Sequence, residues 1–397
     1  MEQKKTGAIK YQGLLFAAFI IAAFLSLPAI SEINDYRFYI YLPDYSIGYC
    51  AKLLVGGVLA LFKDSFTKEW LFGYMRVVVA VVSMFFALFL GKWIAASPKE
   101  LRMPYFVLAL FFATSPFAFN IFSSLIGLHD IYWYFFIVLA LMCIKNKVLM
   151  WLVPLLSVLC VANHIAYLLI LFPVLFIILL HLAVYSERKG VYKVLFAAML
   201  LLTAGASVYV LFFERQTLNM TLPEMLSYTK AKINTDISST GFEYTIFGYV
   251  EGVNLDALPE GQYFGSSIIA TLRTLMNVAM NGVTLKRVVE IFFAILPFTA
   301  STAYIWAYAL HRAKKLSERM IYFFCLLTFL ALPILWLVST DSQRWAALFC
   351  ISQLMLLVFL LKEKDEYVCA AFNKIAAAVK EYPIVAAGAA CLLYLIP

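Results

Sequence analysis

The chain has 397 residues, of which 64% are hydrophobic and only 14% are charged, and its mean hydropathy is +0.89. Soluble globular domains are nearer one-half apolar and one-quarter charged, so this composition excludes an ordinary soluble fold and predicts a membrane protein. The net charge of +8 does not indicate nucleic-acid binding, because the lysines and arginines stand in short clusters between apolar runs.

Apolar runs follow one another along almost the whole chain. They predict an all-α, polytopic membrane protein with about 11 transmembrane helices in a single transmembrane domain, residues 1–397. The runs cover residues 12–30, 70–94, 103–127, 131–144, 148–162, 165–185, 194–213, 289–310, 320–338, 345–361 and 383–397.

The basic clusters predict the orientation of these runs. With a cytoplasmic N-terminus and a change of side at each run, every loop assigned to the cytoplasm is basic. The clusters include Lys4/Lys5/Lys10, Lys92/Lys99/Arg102, Lys145/Lys147, Arg188/Lys189/Lys193, Arg312/Lys314/Lys315/Arg319 and Lys362/Lys364/Lys374/Lys380. His181 and His311 adjoin these loops and are expected to be interface residues.

Two longer regions then fall on the outer side, residues 31–69 and 214–288. The segment from Ser46 to Phe62 is apolar but short and contains Lys52; a span there would invert every later loop, so we expect a re-entrant or surface-lying helix. In the second region, 266–281 has an amphipathic pattern, which predicts a helix along the outer membrane surface or packed on the outer ends of the spans.

Two predicted spans are too short for the bilayer. Residues 131–144 and 148–162 extend about 21 and 22 Å as helices, against a hydrocarbon core of about 30 Å. The polar residues at their outer ends, His129, Asp130 and His164, are therefore expected at or below the headgroup level. Ionisable groups at that depth usually form pairs, line a wet cavity or perform a function.

Other polar residues gather on the same side. Arg76 lies just inside the outer end of its span, and Asp341 and Arg344 share a short outer turn. Structural alternatives exist for each group: Asp341 and Arg344 can form a local i, i+3 ion pair, His164 can be a satisfied core histidine, and Asp130 can cap the helix that follows it.

The first outer loop is rich in tyrosine and acids and contains Asp35, Arg37 and Asp44. An aromatic belt at the membrane interface is one interpretation. The other is a polar pocket lined by rings, in which aromatic faces suit sugars and carboxylates suit hydroxyl groups.

Acids, histidines and arginines at the outer headgroup boundary suit a sugar carried on a lipid phosphate. Arg76, Arg344, His129 and His164 are candidates to neutralise the phosphate. An inverting transfer also needs a base for the acceptor hydroxyl, for which we favour Asp35 first and Asp44 second. Arg37, Asp130 and Asp341 are expected to bind substrate or orient these groups, and Asp35, Arg76, His129, His164 and Arg344 are predicted to face one cavity.

The layout of the first two hundred residues resembles that of the polytopic, lipid-phosphate-sugar-dependent glycosyltransferases of the GT-C type. The run PDYSIGYCAKLLVGG and the GLHD tip resemble patterns in membrane proteins of bacterial capsule and exopolysaccharide synthesis, including polymerases. The GT-C resemblance implies a catalytic acid in the first outer loop, where Asp35 and Asp44 stand. The chain departs from that pattern because the loop has no DxD or ExD triplet.

The sequence thus predicts a glycosyltransferase or polysaccharide polymerase of the cell (plasma or inner) membrane, active on the extracytoplasmic face. Its expected partners are a polyprenyl-linked sugar donor, a glycan acceptor, membrane lipid and other polysaccharide-assembly proteins, and no nucleic acid. The cofactor and metal are unknown, with a divalent cation left open. A polysaccharide or lipid-linked oligosaccharide transporter is the main alternative, disfavoured because no internal repeat is evident; a non-catalytic scaffold or receptor is a third.

Overall fold

The computed structural model describes residues 2–220, 222–234, 285–338, 341–392 and 394. Within these ranges the chain is helical and contains no strand; a single isolated parallel bridge joins Phe66 to Ile233. The predicted amphipathic helix at 266–281 lies outside the described residues, as does most of the second outer region.

Eighteen α-helices are described, with short 3₁₀ turns between some of them. In chain order they are α1 (Glu2–Ser26), α2 (Asp35–Tyr39), α3 (Leu54–Ala60), α4 (Lys68–Ala96), α5 (Lys99–Thr114), α6 (Ile121–Ser124), α7 (Asp130–Cys143), α8 (Leu152–Asn163), α9 (Tyr167–Ile170), α10 (Phe172–Tyr185), α11 (Lys189–Phe212), α12 (Leu222–Ala231), α13 (Leu285–Arg312), α14 (Leu316–Leu327), α15 (Ala331–Val338), α16 (Ser342–Lys362), α17 (Glu366–Glu381) and α18 (Pro383–Leu392).

Six helical segments are long and apolar enough to cross a membrane, which makes the chain a membrane protein. They are Ile9–Ser26, Lys68–Ala96, Lys189–Phe212, Lys286–Arg312, Leu316–Trp336 and Ser342–Lys362. Helices α17 and α18 meet at a bend of 108° and make a seventh if the bent pair is one span. The predicted count of about 11 stays a prediction.

The short helices predicted near the middle of the chain are present. Helix α7 has 14 residues, and the second apolar helix runs over Leu149–Asn163, starting with a 3₁₀ turn. At a rise of about 1.5 Å per residue, α7 is about 21 Å long, which is shorter than a hydrocarbon core of about 30 Å. The third short apolar helix, Phe172–Tyr185, also has 14 residues.

Prolines interrupt two apolar runs that the hydropathy pattern predicts as continuous helices. The run 103–127 is not one helix, because α5 ends at Thr114 and Ser115 adopts an extended conformation before Pro116. A residue that precedes proline is disfavoured in the helical region, which explains the break. The run 165–185 similarly divides at Leu171 into α9 and α10, and Pro173 stands in the first turn of α10.

Helix α16 lies at the centre of the bundle. Every residue from Trp345 to Leu361 is buried, so the other helices surround it on all sides. Its one buried amide in mid-helix, Gln353, accepts a hydrogen bond from Trp306 Nε1 at 2.9 Å and donates one to Thr328 Oγ1 at 2.7 Å. These bonds satisfy the amide where no water competes and join α16 to α13 and to the 3₁₀ turn after α14.

The loops at one end of the bundle contact one another, and they carry the basic clusters. Lys145, after α7, forms an ion pair of 2.7 Å with Glu363, after α16. Arg188, before α11, donates a hydrogen bond to the carbonyl oxygen of Lys145 at 3.0 Å. His181 near this end is not an interface residue as expected: it is buried and lies 3.3 Å from Asp365. His311 is exposed.

Residues 31–69, the predicted first outer region, fold back at the opposite end. Its apolar segment forms α3, a helix of only seven residues, which is too short to span a membrane. A Cβ on Gly56 would lie 1.9 Å from the carbonyl oxygen of Pro43, so glycine at this position lets the helix pack directly on the preceding turn. This close packing turns the region into a folded cap.

Candidate functional site

A buried ion pair joins the starts of two helices at this end of the bundle. Arg344, in the first turn of α16, donates Nε–H to Asp130 Oδ2 at 2.7 Å and Nη2–H to Asp130 Oδ1 at 3.2 Å. Its remaining nitrogen, Nη1, donates to Asp341 Oδ2 at 2.8 Å, so the local ion pair given as a structural alternative is present. Asp130 is 1% exposed and is the first residue of α7, where the helix dipole favours a carboxylate. The bidentate geometry fixes Arg344 in place.

The first outer loop contributes Tyr36 and Arg37 to the same neighbourhood. Arg37 Nη1 donates to the carbonyl oxygen of Ile126 at 3.2 Å. The next residue, Gly127, has φ of +97°, and a Cβ there would lie 3.0 Å from Arg37 Cβ, so glycine permits the approach. Burial raises the pKa of Tyr36, and the charges of Arg344, Asp341, Asp130 and Arg37 all act on its hydroxyl. One loop therefore adds a phenol and a guanidinium to the ion-paired cluster.

His129 lies directly beside this cluster and is 8% exposed. Its Nε2 atom is buried and has no hydrogen-bond partner among the described residues. Burial lowers the pKa of His129 to about 3, and the positive charges of Lys52 and Arg344 act in the same direction. The imidazole is therefore neutral at pH 7, with an unsatisfied nitrogen near the charges of Lys52 and Arg344.

The end of α8 closes the site from another side. Asn163 donates Nδ2–H to the carbonyl oxygen of His129 at 2.9 Å, and its Oδ1 atom has no partner in the described part of the chain. His164 is half-buried, and its ring stands edge-on to Trp133 at 5.7 Å. The second histidine is therefore fixed next to the first by a short hydrogen-bonded turn.

Aromatic side chains line one side of His129. The Tyr41 ring meets His129 edge-on at 4.7 Å, and the Tyr132 hydroxyl donates to Tyr74 at 3.0 Å. Tyr74 in turn stacks on Trp70 with ring centres 5.9 Å apart and an interplanar angle of 2°. These rings lead from the buried histidine to the partly exposed indole of Trp70.

Three candidates from the sequence contact groups outside this cluster: Asp35, Asp44 and Arg76. Asp35 forms an ion pair of 2.7 Å with Lys68 at the start of α4. Arg76 is exposed on α4, with its guanidinium 5.6 Å from the ring centre of Phe72. The five residues predicted to face one cavity are thus divided: His129, His164 and Arg344 share electrostatic neighbours, while Asp35 and Arg76 contact other groups.

Asp44 is buried and binds groups from both predicted outer regions, 31–69 and 214–288. It accepts hydrogen bonds from the Ser46 amide, from the Tyr228 hydroxyl and from Lys232, with which it forms an ion pair. Burial alone would raise the pKa of Asp44, but the bonds from Lys232 and Ser46 outweigh it and hold the pKa below its ordinary value. A carboxylate bound in this way is a weak base.

Lys52 is the functional candidate that the sequence interpretation missed. It enters that interpretation only as an obstacle to a membrane span, yet its charge acts on both His129 and His164. The signal was present in the sequence as a lone lysine inside a short apolar segment.

The described residues contain no group of three or more His, Cys, Asp or Glu side chains placed to hold a metal ion. The chain matches no family model, no curated protein and no solved structure.

Proposed function

We propose that the chain is an outer-face membrane glycosyltransferase or polysaccharide polymerase that uses polyprenyl-phosphate-linked sugars in cell-surface polysaccharide synthesis. The observation that carries the proposal is a neutral histidine, His129, with an unpartnered ring nitrogen beside the buried Asp130–Arg344 pair. Such a site offers a proton acceptor near the cationic side chains of Lys52 and Arg344. A base and cations for the leaving group are the two elements that glycosyl transfer from a phosphate requires.

In the proposed reaction, an acceptor hydroxyl oxygen attacks the anomeric carbon while the bond between that carbon and the phosphate oxygen breaks. The hydroxyl proton passes to His129 Nε2, and the phosphate leaves with the electron pair of the broken bond. Burial and the charges of Lys52 and Arg344 lower the pKa of His129 to about 3, which makes it a poor base. A bound phosphate would offset the charges of Lys52 and Arg344 and raise that pKa, so the donor itself would activate the base.

We assign the base to His129 in preference to Asp35 and Asp44 because both carboxylates are held in ion pairs with lysines. A carboxylate stabilised by a lysine accepts a proton less readily. Asp44 is better suited to fix the loop that carries Lys52, and Asp35 to fix the start of α4 through Lys68.

The proposal includes the membrane topology of about 11 spans with a cytoplasmic N-terminus in the cell membrane. For that count the short helices α5, α7, α8 and α10 and the bent pair α17–α18 must cross the bilayer in addition to the six long segments. Support comes from the contacts: loops with basic clusters pair with each other at one end, as Lys145 does with Glu363. At the other end, the segments that carry the candidate site contact each other, as Asp130 does with Arg344.

The test uses cells that encode this chain, with the gene deleted and restored as wild type or as His129→Gln. The matched control is His311→Gln, because His311 is exposed and lies outside the cluster. We expect deletion and His129→Gln to abolish the surface polymer and to leave lipid-linked saccharide in the outer leaflet, where impermeant periodate oxidises it. The control variant should make normal polymer at equal protein abundance.

Two results would contradict the proposal. Lipid-linked saccharide that accumulates in the inner leaflet, protected from periodate, would identify a transporter. Unchanged surface polysaccharide after deletion would remove the chain from this process altogether.

A further inference from the structure

Lys52 stands in a backbone conformation that L-residues seldom adopt. Its φ is +73°, in the left-handed region that favours glycine. Its amide donates a hydrogen bond of 3.0 Å to the carbonyl oxygen of Ala162, near the end of α8. Strained residues of this kind persist when the surrounding contacts over-determine them, and they cluster at functional sites.

Contacts from the second outer region hold the loop around Lys52. The Ala51 amide donates to Glu214 Oε2 at 2.6 Å, and the Tyr49 amide donates to Thr217 Oγ1 at 2.8 Å. Asp44, earlier in the loop, is fixed by Lys232. The loop is thus hydrogen-bonded to α8 on one side and to the segment after α11 on the other, and these bonds fix the Lys52 backbone.

His164, two residues after Ala162, has a defined proton position. Its Nδ1 atom accepts a hydrogen bond of 3.0 Å from the Ala166 amide. A neutral imidazole whose Nδ1 is an acceptor carries its proton on Nε2. Burial lowers the pKa of His164 well below its ordinary value, and the charges of Lys52, Arg344 and His129 act in the same direction, so the ring is neutral. It therefore offers an N–H donor and cannot act as the base.

We propose that Lys52 and His164 together form the subsite for a phosphate group, with Lys52 supplying charge and the Nε2–H of His164 supplying a directed hydrogen bond. This inference rests on the proposed function. It assigns a different role to each histidine: His129 accepts the proton, and His164 donates a hydrogen bond to a phosphate oxygen. The hydrogen bond from the Lys52 amide to Ala162, two residues before His164, joins the two backbone segments that carry these side chains.

The experiment uses the full chain in maltoside micelles, which contain no phosphate, with ¹⁵N-labelled histidine. The four histidines are assigned by single His→Gln variants. We expect His164 to show a neutral ring with the proton on Nε2 at pH 7. Polyprenyl monophosphate should shift this resonance saturably, and inorganic phosphate should shift it only at much higher concentration if the site belongs to a lipid substrate.

Binding by variants supplies the second readout. Lys52→Met and His164→Gln should each weaken polyprenyl phosphate binding by about tenfold or more, because each removes a charge or a donor to the anion. Lys63→Met is the matched control, since Lys63 is an exposed lysine in the same outer loop whose ammonium lies 5.4 Å from the Trp70 ring centre. Its binding should equal that of the wild type. Gel filtration and helical circular dichroism establish that each variant is folded.

Three results would overturn the subsite: a His164 proton on Nδ1, a charged His164 ring at pH 7, or folded Lys52→Met and His164→Gln variants that bind as tightly as the wild type. In the last case a lipid phosphate remains the proposed substrate, and only the assignment of Lys52 and His164 to its phosphate subsite is wrong. If the wild type itself does not bind polyprenyl phosphate, both the subsite and the proposed function are wrong. Equal affinity for inorganic and polyprenyl phosphate would support an anion site and identify free phosphate as a ligand.

Discussion

Arg344 and Asp130 are 214 residues apart in the chain and form a buried bidentate ion pair, at 2.7 and 3.2 Å, between the first turns of α16 and α7. The pair fixes the N-terminal end of the central helix to the short helix whose start holds His129. Asp341 completes the clamp by accepting from the third guanidinium nitrogen. The position of His129 in the site therefore depends on an ion pair that it does not itself join.

We expect Arg344→Met to destabilise the fold by about 3–5 kcal/mol, because its removal leaves the buried Asp130 carboxylate without its ion-pair partner. Arg344→Lys should also destabilise it, since an ammonium cannot reproduce the bidentate geometry. Thermal unfolding in detergent measures both effects. Arg76→Lys is the control for a surface arginine and should be neutral; destabilisation as large as that of Arg344→Lys would show that the buried pair is not special.

The two histidines predict how stability depends on pH. Their folded-state pKa values lie below the ordinary value of 6.5, at about 3 for His129. Between these values the unfolded state binds more protons than the folded state, so the free energy of unfolding rises with pH and levels off above about 6.5.

His129→Gln should reduce this slope by about one proton, or about 1.4 kcal/mol per pH unit. Chemical unfolding in detergent from pH 4 to 8 measures it. A slope equal to that of the wild type would show that His129 takes up its proton over the same pH range in the folded and unfolded states, which would contradict the lowered pKa of the buried imidazole.

Glycine substitutions should have opposite effects at two positions. Gly56→Ala should destabilise the outer cap by about 1–3 kcal/mol, because its Cβ would overlap the carbonyl oxygen of Pro43. Gly73→Ala, inside α4 and open to space for a methyl group, should stabilise the fold by about 0.5–1 kcal/mol. The difference in melting temperature between the two variants is the measurement, and equal values would contradict the packing of α3 on the first outer loop.

Asp365 should control the docking of α17 at the basic end. It accepts a hydrogen bond from Tyr322 at 2.7 Å and one from the Val368 amide at 3.0 Å, and it lies 3.3 Å from His181. Asp365→Ala removes the cap of α17 and all of these bonds, so we expect faster tryptic cleavage within that helix. Glu366→Gln, at the exposed neighbour, is the control and should leave the cleavage rate unchanged. Equal rates in both variants would mean that Asp365 does not hold the helix.

Local features of the sequence were sufficient for much of the architecture. Hydropathy identifies the membrane helices because each helix satisfies its own backbone hydrogen bonds, so a long apolar run needs no information from elsewhere in the chain. The same holds for the 14-residue length of α7 and for the ion pair between Asp341 and Arg344, which stand three residues apart. The sequence also contained both prolines that break the runs at 103–127 and 165–185, but hydropathy alone does not register them.

Only the tertiary structure decided which charged groups meet. Local spacing explains the contact of Arg344 with Asp341, but the partnership with Asp130 depends on how α16 packs against α7. Asp44 is likewise bound to Lys232, 188 residues away, because the two outer regions fold onto each other. The environment of a buried charge is set by long-range packing, and that environment makes Asp44 a weak base and keeps His129 neutral. Residue types can nominate the members of a site, whereas their protonation and roles follow from the contacts.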